Sequence, residues 1–443
     1  MAHLDARGAA TGTGDRSRPR AALPALCATQ ITSWGIVYYA FPVLNGRIAA
    51  DTGWSTTSTT AAFSGALLVS ALTGIPVGRI LDRHGPRAVM TTGSVLGVAA
   101  VLLLAYAPNL FAFSVAWLLA GMAMAATFYQ PAFAALTRWW GPDRVRALMI
   151  VTLAGGLAST VFAPLTATFA EHLNWRTTYA VLAAILAVIT IPTHALALRA
   201  PWPPAPPRPI YRAPGSQPVT RSRPFLMLAG ALTLNGFAMY AVVITLVPLL
   251  VARGTDPTAA AWVLGLGGAG QTLGRTLYAG LAKHTRVTTR TVSLIVAGGA
   301  TTAAFASVSG PLPLLVLLAV VAGMVRGNLT LLQATAVTDR WGTGDYARLS
   351  AVLAAPATIA SAGAPFAGTA LAAFLSGYPA LFVVLASLSV VAGLLALGGR
   401  LASGGGEEDR TGGREDLPTE LSRSEEPRVP GQQLGSPQPP VTP

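Results

Sequence analysis

Twelve apolar stretches, each long enough to cross a membrane as a helix, dominate this chain of 443 residues. Hydrophobic residues make up 52% of it and charged residues only 11%, which excludes a water-soluble globular fold. In lipid each span must satisfy its own backbone hydrogen bonds, and a helix of about 20 residues does so. We therefore predict an all-α membrane protein with twelve transmembrane helices. The stretches are 23–44, 57–77, 88–107, 110–137, 147–170, 177–198, 224–251, 258–281, 291–309, 311–337, 349–374 and 378–399.

The basic residues between the stretches predict the orientation. If the N-terminus is cytoplasmic, sixteen lysines and arginines fall in the inner joints, and only Arg47, Arg176 and Arg253 fall in the outer ones. Cytoplasmic joints of membrane proteins carry the excess of basic residues. We therefore expect both termini in the cytoplasm and a multi-pass location in the plasma membrane. The net charge of +13 is then a topology signal, and we expect no nucleic-acid partner.

Composition divides the chain into five segments. The first and last are charged and poor in apolar residues, so we expect them to be disordered. The middle segment carries six prolines between positions 201 and 209, which indicates a stiff, extended spacer. We predict a cytoplasmic leader (1–20), a first six-helix bundle (21–198), a cytoplasmic linker (199–223), a second six-helix bundle (224–399) and a cytoplasmic tail (400–443).

The two bundles repeat each other in the same direction. Trp140 and Trp341, each followed by glycine, are 201 residues apart, and so are Pro164 and Pro365. Pro42 precedes Arg47 by five residues in one half, just as Pro248 precedes Arg253 in the other. These landmarks occur in the same order, six helices apart, which indicates an internal duplication. Repeats of this kind predict a substrate path between the halves.

A short, charged loop joins the second and third stretches. It has the pattern G-x-x-x-D-R-x-G-x-R, which is carried by Gly78, Asp82, Arg83, Gly85 and Arg87. This pattern resembles the signature loop between helices 2 and 3 of major facilitator superfamily transporters. Together with the twelve-helix plan and the linker, the resemblance covers residues 21–399.

Within that superfamily, three segments resemble the monocarboxylate and oxalate/formate branch. They are Gln30–Gly35, Tyr38–Leu44 and Leu81–Arg87. The resemblance implies alternating access between the two bundles, with the five loop residues acting as a gate. It also implies that Asp82 pins the halves together at the cytoplasmic side in one state. Alternatively, Asp82 only balances Arg79 and Arg83. The equivalent loop of the second half, Gly280–Arg286, has no acidic residue.

Two arginines, Arg275 and Arg326, lie inside predicted spans, where a charge facing lipid is costly. Outside the leader and tail, every acidic residue lies in a joint or at a helix end, so no carboxylate is available at mid-membrane. A carboxylate substrate bound by a guanidinium group would supply the missing counter-charge. Alternatively, Arg275 extends to the inner interface and Arg326 caps a break in a helix.

Polar and aromatic residues near these arginines predict the rest of a substrate site. Gln271 is one turn before Arg275, and Gln333 is two turns after Arg326. Gln30, Trp34 and Tyr38 form a stripe on the first helix, and Tyr129, Gln130 and Asn235 are possible additions. The stripe could equally serve helix–helix packing.

These observations predict a secondary active or facilitative transporter of a small organic anion, similar to a monocarboxylate. The alternative is an exporter of drug-like or apolar compounds. We expect a monomer in the lipid bilayer that is not an enzyme and has no cofactor or metal site. No Asp, Glu or His lies deep in a predicted span, which favours anion exchange, facilitated diffusion or co-transport of a protonated substrate.

Overall fold

A computed structural model of the chain describes residues 19–203, 219–342, 346–375 and 377–401. Most of the predicted leader, linker and tail therefore lies outside the described residues. Within the described ranges the chain is helical and contains no strand.

The first half begins with two helices that a π-helical turn, Gly35–Tyr39, joins end to end. Most of the later helix ends are marked by glycine, proline or a capping side chain. Ser55, Asn109 and Asn174, for example, each accept a hydrogen bond from a backbone N–H of the helix that follows. The helices are α1 (Ala22–Trp34), α2 (Ala40–Thr52), α3 (Thr56–His84), α4 (Pro86–Ala105), α5 (Leu110–Thr127), α6 (Tyr129–Trp140), α7 (Arg144–Gly156), α8 (Ala158–His172) and α9 (Trp175–Ala197).

The second half follows the linker and contains seven helices. Asp256 caps one of them by accepting from two backbone N–H groups, at 2.9 and 3.0 Å. The helices are α10 (Arg223–Ala252), α11 (Pro257–His284), α12 (Val287–Ser307), α13 (Leu312–Thr335), α14 (Thr338–Trp341), α15 (Tyr346–Phe374) and α16 (Tyr378–Leu401).

Nine helical segments of the described chain are long and apolar enough to cross a membrane, judged by length and composition. In this set α5 and α6 count as one segment, and so do α7 and α8. The other three predicted stretches fall on the α1–α2 segment, α11 and α12, which are helical as well. The membrane-protein class is therefore confirmed, while the number of twelve spans and the orientation of the termini stay predictions.

The halves meet mainly along two pairs of helices, α3 with α15 and α8 with α11, with smaller contacts of α7 with α11 and α2 with α10. Glycines let α11 approach its neighbours closely: a side chain at Gly265 would come within 3.1 Å of the Ser159 carbonyl on α8. On another face, a side chain at Gly267 would come within 3.2 Å of the Ala319 carbonyl on α13. Helix α11 is thus packed tightly in its own half and against the other half.

The helix bundle has two opposite ends, the loop end and the far end. The loop end carries the Gly78–Arg87 loop, and with it the start of α10 and α15 and the end of α13. The far end carries the start of α3 and the end of α15.

Candidate functional site

A helix break brings Gln30 into contact with the neighbouring helix. The predicted fourth span is divided at Phe128, between α5 and α6. Because Pro131 has no N–H, the Thr127 carbonyl lacks its usual partner four residues later. The Gln30 Nε2 takes the place of the missing N–H and donates a hydrogen bond of 2.7 Å to the Thr127 carbonyl. Gln30 is fully buried there, and its Oε1 has no hydrogen-bond partner among the described residues.

The π-helical turn after α1 lies beside an aromatic cluster. The Trp34 ring stacks on Phe128 with a centroid separation of 4.1 Å, so the break in the fourth span also positions this indole. Tyr38 lies edge-on to Tyr240 of α10, 6.4 Å away, and this contact joins the two halves. Single π-helical turns inside α-helices are frequent at functional sites.

Between the halves lies a cavity of about 520 Å³, which we call the central cavity. The larger polar and aromatic residues that line it are Trp34, Tyr38, Phe128, Tyr129, Gln130, Tyr240 and Gln333. The other lining residues lie in the middle and second half of α3, the first two thirds of α15, the first half of α10 and the ends of α5 and α13, for example Gly74 and Ser350. The central cavity therefore lies toward the loop end.

The far end is closed by direct contacts between the halves. The hydroxyl groups of Thr60 and Thr369 are 2.6 Å apart, and the Phe366 N–H donates to the Ser64 hydroxyl at 3.0 Å. Thr258 at the start of α11 donates to Glu171 at the end of α8. The structure is thus closed at the far end, with its central cavity displaced toward the loop end.

Arg275 is buried between the halves, with 5% of its surface exposed, and does not extend to the surface. Its guanidinium donates to the Thr152 carbonyl near the end of α7 and lies beside Tyr129. Nearby, Thr272 donates to the Leu153 carbonyl at 3.3 Å. The α7–α8 break at Leu157 is therefore capped from the other half. The Arg275 Nε has no partner among the described residues.

Arg326 lies in the middle of α13 and lines a second, smaller cavity inside the second half. It is within electrostatic range of Arg275 and of three tyrosines near the central cavity, Tyr38, Tyr39 and Tyr240. The ion pairs in the described part of the chain involve neither Arg275 nor Arg326. The expected lack of a carboxylate partner therefore holds for both arginines within those ranges.

The residues predicted to bind substrate thus divide into four groups. Trp34, Tyr38 and Gln333 line the central cavity, and so do the possible additions Tyr129 and Gln130. Arg275 and Gln271 are buried on α11, close to the central cavity but outside its lining. Arg326 and Asn235 line the smaller cavity, and Gln30 packs against α5.

Tyr240 lines the central cavity, although the sequence reasoning did not single it out. It contacts Tyr38 across the two halves. The sequence does contain a signal for Tyr240: like Tyr38, it is a tyrosine inside an apolar span.

The predicted gate residues lie at the loop end of the first half. The Asp82 carboxylate forms an ion pair of 2.5 Å with Arg138 at the end of α6, a helix of the same half. Gly85 has a left-handed backbone with a φ of 77°, which permits the abrupt turn between α3 and α4. Arg87 donates to the Ala195 carbonyl at 2.9 Å. Gly78 faces open space, and Arg83 is exposed.

The start of the linker packs onto this ion pair. The Arg138 guanidinium lies 4.5 Å from the ring centroid of Trp202, and Trp202 Nε1 donates to the Asp82 carbonyl at 3.1 Å. Arg138 also donates to the Pro203 carbonyl at 3.2 Å. A side chain at Gly85 would come within 3.1 Å of the indole, so this glycine makes room for it.

The second half has an ion pair of its own at the loop end. Arg290 of α12 pairs with Asp339 of α14 at 2.7 Å. Asp339 also accepts from the Thr335 hydroxyl at 3.0 Å, and the hydroxyls of Thr335 and Tyr278 are 2.9 Å apart. Burial lowers the pKa of the neighbouring Arg340, although Asp339 raises it. The carboxylate missing from the Gly280–Arg286 loop is thus supplied by another helix.

His194 is buried although, in line with the expectation that no histidine is deep in a span, it lies in the last turn of its helix. It is fully buried near the end of α9, with its Nδ1 2.8 Å from the Ser94 hydroxyl of α4. Its Nε2 has no partner among the described residues. It packs between two helices of the first half, and it does not line the central cavity.

Comparison with known proteins identifies relatives of the chain. A family model described as Major Facilitator Superfamily matches residues 26–284, which is more than half of the chain. Monocarboxylate transporter 13 of Rattus norvegicus is 29% identical over 325 residues, which cover 70% of this chain and 73% of that protein. The Bos taurus protein of the same name is 32% identical, covering 46% and 47%. Monocarboxylate transporter 11 of Homo sapiens is 31% identical, covering 51% and 46%.

The bovine and human matches span only about half the length of those relatives. Even so, the resemblance to the monocarboxylate branch of the superfamily is confirmed.

Solved structures show the same fold. A mutant form of the nucleoside transporter NupG superposes with a TM-score of 0.70 at 15% identity and covers 85% of this chain and 98% of its own. A bacterial homologue of the human lysosomal transporter Spinster, in an inward-facing and unoccupied conformation, gives 0.67 at 16% identity, covering 87% and 98%. At these identities the likeness concerns the fold alone.

Proposed function

The chain belongs to the Major Facilitator Superfamily of multi-pass membrane transporters, a family that does not consist of enzymes, and we propose that it carries a small organic anion of the monocarboxylate class. Carriage would proceed by alternating access between the two halves. We propose further that the chain spans the plasma membrane twelve times as a monomer with both termini in the cytoplasm. The excess of basic residues at the loop end supports that orientation.

The observation that carries the proposal is Arg275, a buried arginine that has no carboxylate partner among the described residues. Arg275 lies between the halves beside Tyr129, a residue of the cavity lining, and its Nε is unpartnered among the described residues. An uncompensated guanidinium in a low-dielectric site attracts an anion strongly, and a carboxylate matches its planar geometry. An anionic cargo in the central cavity would therefore supply the charge that the protein lacks.

The size and position of the central cavity are consistent with such a cargo. A volume of about 520 Å³ is within the range that pockets for small molecules occupy. The cavity lies toward the loop end while the far end is closed, so the structure corresponds to a state that faces the cytoplasm in the proposed orientation. The relatives named as monocarboxylate transporters support the same class of substrate.

The proposal is tested by flux measurements with purified protein in liposomes. A panel of monocarboxylates and dicarboxylates identifies the cargo, and the variant Arg275→Gln is then measured with it. We expect at least a tenfold loss of uptake, since a charge-assisted hydrogen bond contributes about 1.5–3 kcal/mol. Arg326→Gln is expected to reduce uptake less, because Arg326 lies outside the lining of the central cavity.

Arg286→Gln is the matched control, because it removes the same charge from an exposed position at the loop end. It should retain uptake within about twofold. Since Arg275 also caps the end of α7, a size-exclusion profile and a melting curve must show that each variant is folded. Full uptake by a folded Arg275→Gln variant would contradict the proposal.

One observation favours the alternative of an apolar cargo. The lining of the central cavity is mostly aromatic and aliphatic and contains neither arginine. If the liposomes accumulate hydrophobic compounds, and no carboxylate competes with them, the chain is an exporter of that class.

A further inference from the structure

The smaller cavity inside the second half has a different lining from the central cavity, and an arginine is part of it. It measures about 50 Å³ and lies among α10, α12, α13 and α16. None of the residues that line it also lines the central cavity. Arg326 is the only charged residue of this lining; its other polar members are Asn235, Thr301, Thr302 and Ser389.

Two hydrogen-bond donors in this cavity have no partner among the described residues. They are Nε of Arg326 and Nδ2 of Asn235, and Asn235 is only 3% exposed. The hydroxyls of the cavity already donate to their own helices: Thr301 and Thr302 to the Gly298 carbonyl, both at 2.9 Å, and Ser389 to the Leu385 carbonyl at 3.1 Å. The cavity therefore presents one positive charge and two unused donors, and none of its lining residues carries a carboxylate.

Arg326 is only partly exposed and its Nε is buried, and both an uncompensated guanidinium and a buried amide donor without a partner destabilise the folded state. Water molecules would satisfy the donors but would leave the charge uncompensated. A bound anion would satisfy both. Its size is limited, because about 50 Å³ holds only a few water-sized groups, roughly a tenth of the central cavity measured in the same way.

We propose that this cavity is a binding site for a small inorganic anion such as chloride, held by Arg326 and Asn235 and separate from the path of the cargo. The site is inside one half, so the anion remains in place while the halves move relative to each other. The inference does not depend on which cargo the central cavity takes. The bound anion would change the electrostatics of the central cavity, because it would reduce the positive potential that Arg326 exerts on Tyr38 and Tyr240.

The test is the thermal stability of the purified full-length protein without cargo. Chloride is titrated against gluconate at constant ionic strength, because gluconate is too large for the cavity. We expect chloride to raise the melting temperature saturably, by roughly 2–4 °C, since it binds the folded state only. Equal melting temperatures in the two salts would show that water fills the cavity and would overturn the proposal.

Two variants locate the effect. Asn235→Asp places a carboxylate in the same cavity as Arg326, so it should abolish the chloride response while the protein melts at or above the chloride-saturated temperature. Gly298→Ala adds a methyl group whose nearest neighbours, Leu329 and Val325, are 3.7 and 3.8 Å away. It is sterically tolerated but takes up part of the cavity, so half-maximal stabilisation should need roughly tenfold more chloride.

Gly97→Ala is the matched control in the first half, because its added methyl group also has ordinary contacts, at 3.5 and 3.7 Å. It should leave the chloride response unchanged. A response that persists unaltered in both Asn235→Asp and Gly298→Ala would place the ion elsewhere and overturn the proposal. If Asn235→Asp does not fold, Gly298→Ala together with an anomalous bromide signal beside Arg326 decides the question, and the absence of that signal counts against the site.

Discussion

The two halves each carry one described ion pair at the loop end, with the charges exchanged. Arg138 and Asp339 are 201 residues apart, the same spacing as Trp140 and Trp341, so they occupy equivalent positions. Their partners are Asp82 in the first half and Arg290 in the second, at 2.5 and 2.7 Å. Both halves have thus kept an ion pair at this position, but the acidic and the basic residue have exchanged places.

The surroundings of the two pairs differ more than their geometry. Asp82 is 59% exposed and Arg138 12%, and the start of the linker packs onto their pair. Arg290 is 5% exposed and Asp339 25%, within a network that includes Tyr278 and Thr335. An exposed pair contributes little to stability, whereas breaking a buried pair leaves a charge without compensation. The first pair is therefore the one whose carboxylate can change partners during transport, and the second serves to hold its own half together.

The largest expected effect comes from removing one charge of the buried pair. Asp339→Asn leaves Arg290 uncompensated and should lower the free energy of unfolding by about 3 kcal/mol. Asp82→Asn should lower it by less than about 1 kcal/mol, because the Asp82 carboxylate is mostly solvated and Arg138 keeps its hydrogen bond to the Pro203 carbonyl and its contact with the Trp202 ring. Chemical unfolding of both variants in the same detergent measures the difference. Equal losses would show that the two pairs do not differ in the way their burial indicates.

A charge exchange within each pair tests whether the polarity is fixed by the surroundings. Combining Arg290→Asp with Asp339→Arg should still cost about 2 kcal/mol. The exchange places a second arginine next to Arg340 and removes the contact of Arg290 with the Tyr278 ring, at 5.5 Å. Combining Asp82→Arg with Arg138→Asp should cost no more than about 1 kcal/mol. The free energy of unfolding of both double variants tests this expectation. If the exchange in the second half left that free energy unchanged, the network around Asp339 would not have a structural role.

The smallest effect concerns the start of the linker, residues 199–203, which contacts the first pair. Trp202→Ala removes the indole beside Arg138 and should cost about 1 kcal/mol locally. Faster hydrogen exchange at residues 199–203 would reveal this local loss of stability. Hydrogen exchange in the second half should not change. Trp202→Phe is the control: it keeps a ring but loses the hydrogen bond to the Asp82 carbonyl, so its effect should be intermediate. Unchanged exchange in both variants would mean that the linker does not depend on this contact.

The fold class could be predicted from the sequence because a membrane leaves few alternatives. Long apolar stretches must be helices, and all twelve fall on helical segments. The breaks at Phe128 and Leu157 and the π-helical turn after Trp34 were not predicted, because apolar composition continues through them. Pro131 was the available signal for the first break, since it leaves the Thr127 carbonyl without a partner.

The site was only partly predictable for a related reason. Sequence spacing shows which residues share a face of one helix, but it does not show which helix lies opposite. Gln30 and Trp34 belong to one stripe, yet Gln30 caps a carbonyl and Trp34 lines the central cavity. Arg275 and Arg326 were grouped by their charge, whereas the packing of α10 separates the cavity that Arg326 lines from the central one.

The contacts that close the far end have a kinetic consequence. Three of them use hydroxyl groups: Thr60 with Thr369, Ser64 with the Phe366 N–H, and Thr258 with Glu171. Water can replace a partner of this kind at a net cost of only about 0.5–1.5 kcal/mol for each neutral contact. Among the described residues, opening this end therefore separates no pair of opposite charges, so the electrostatic part of the opening barrier is small and the turnover rate should depend only weakly on ionic strength.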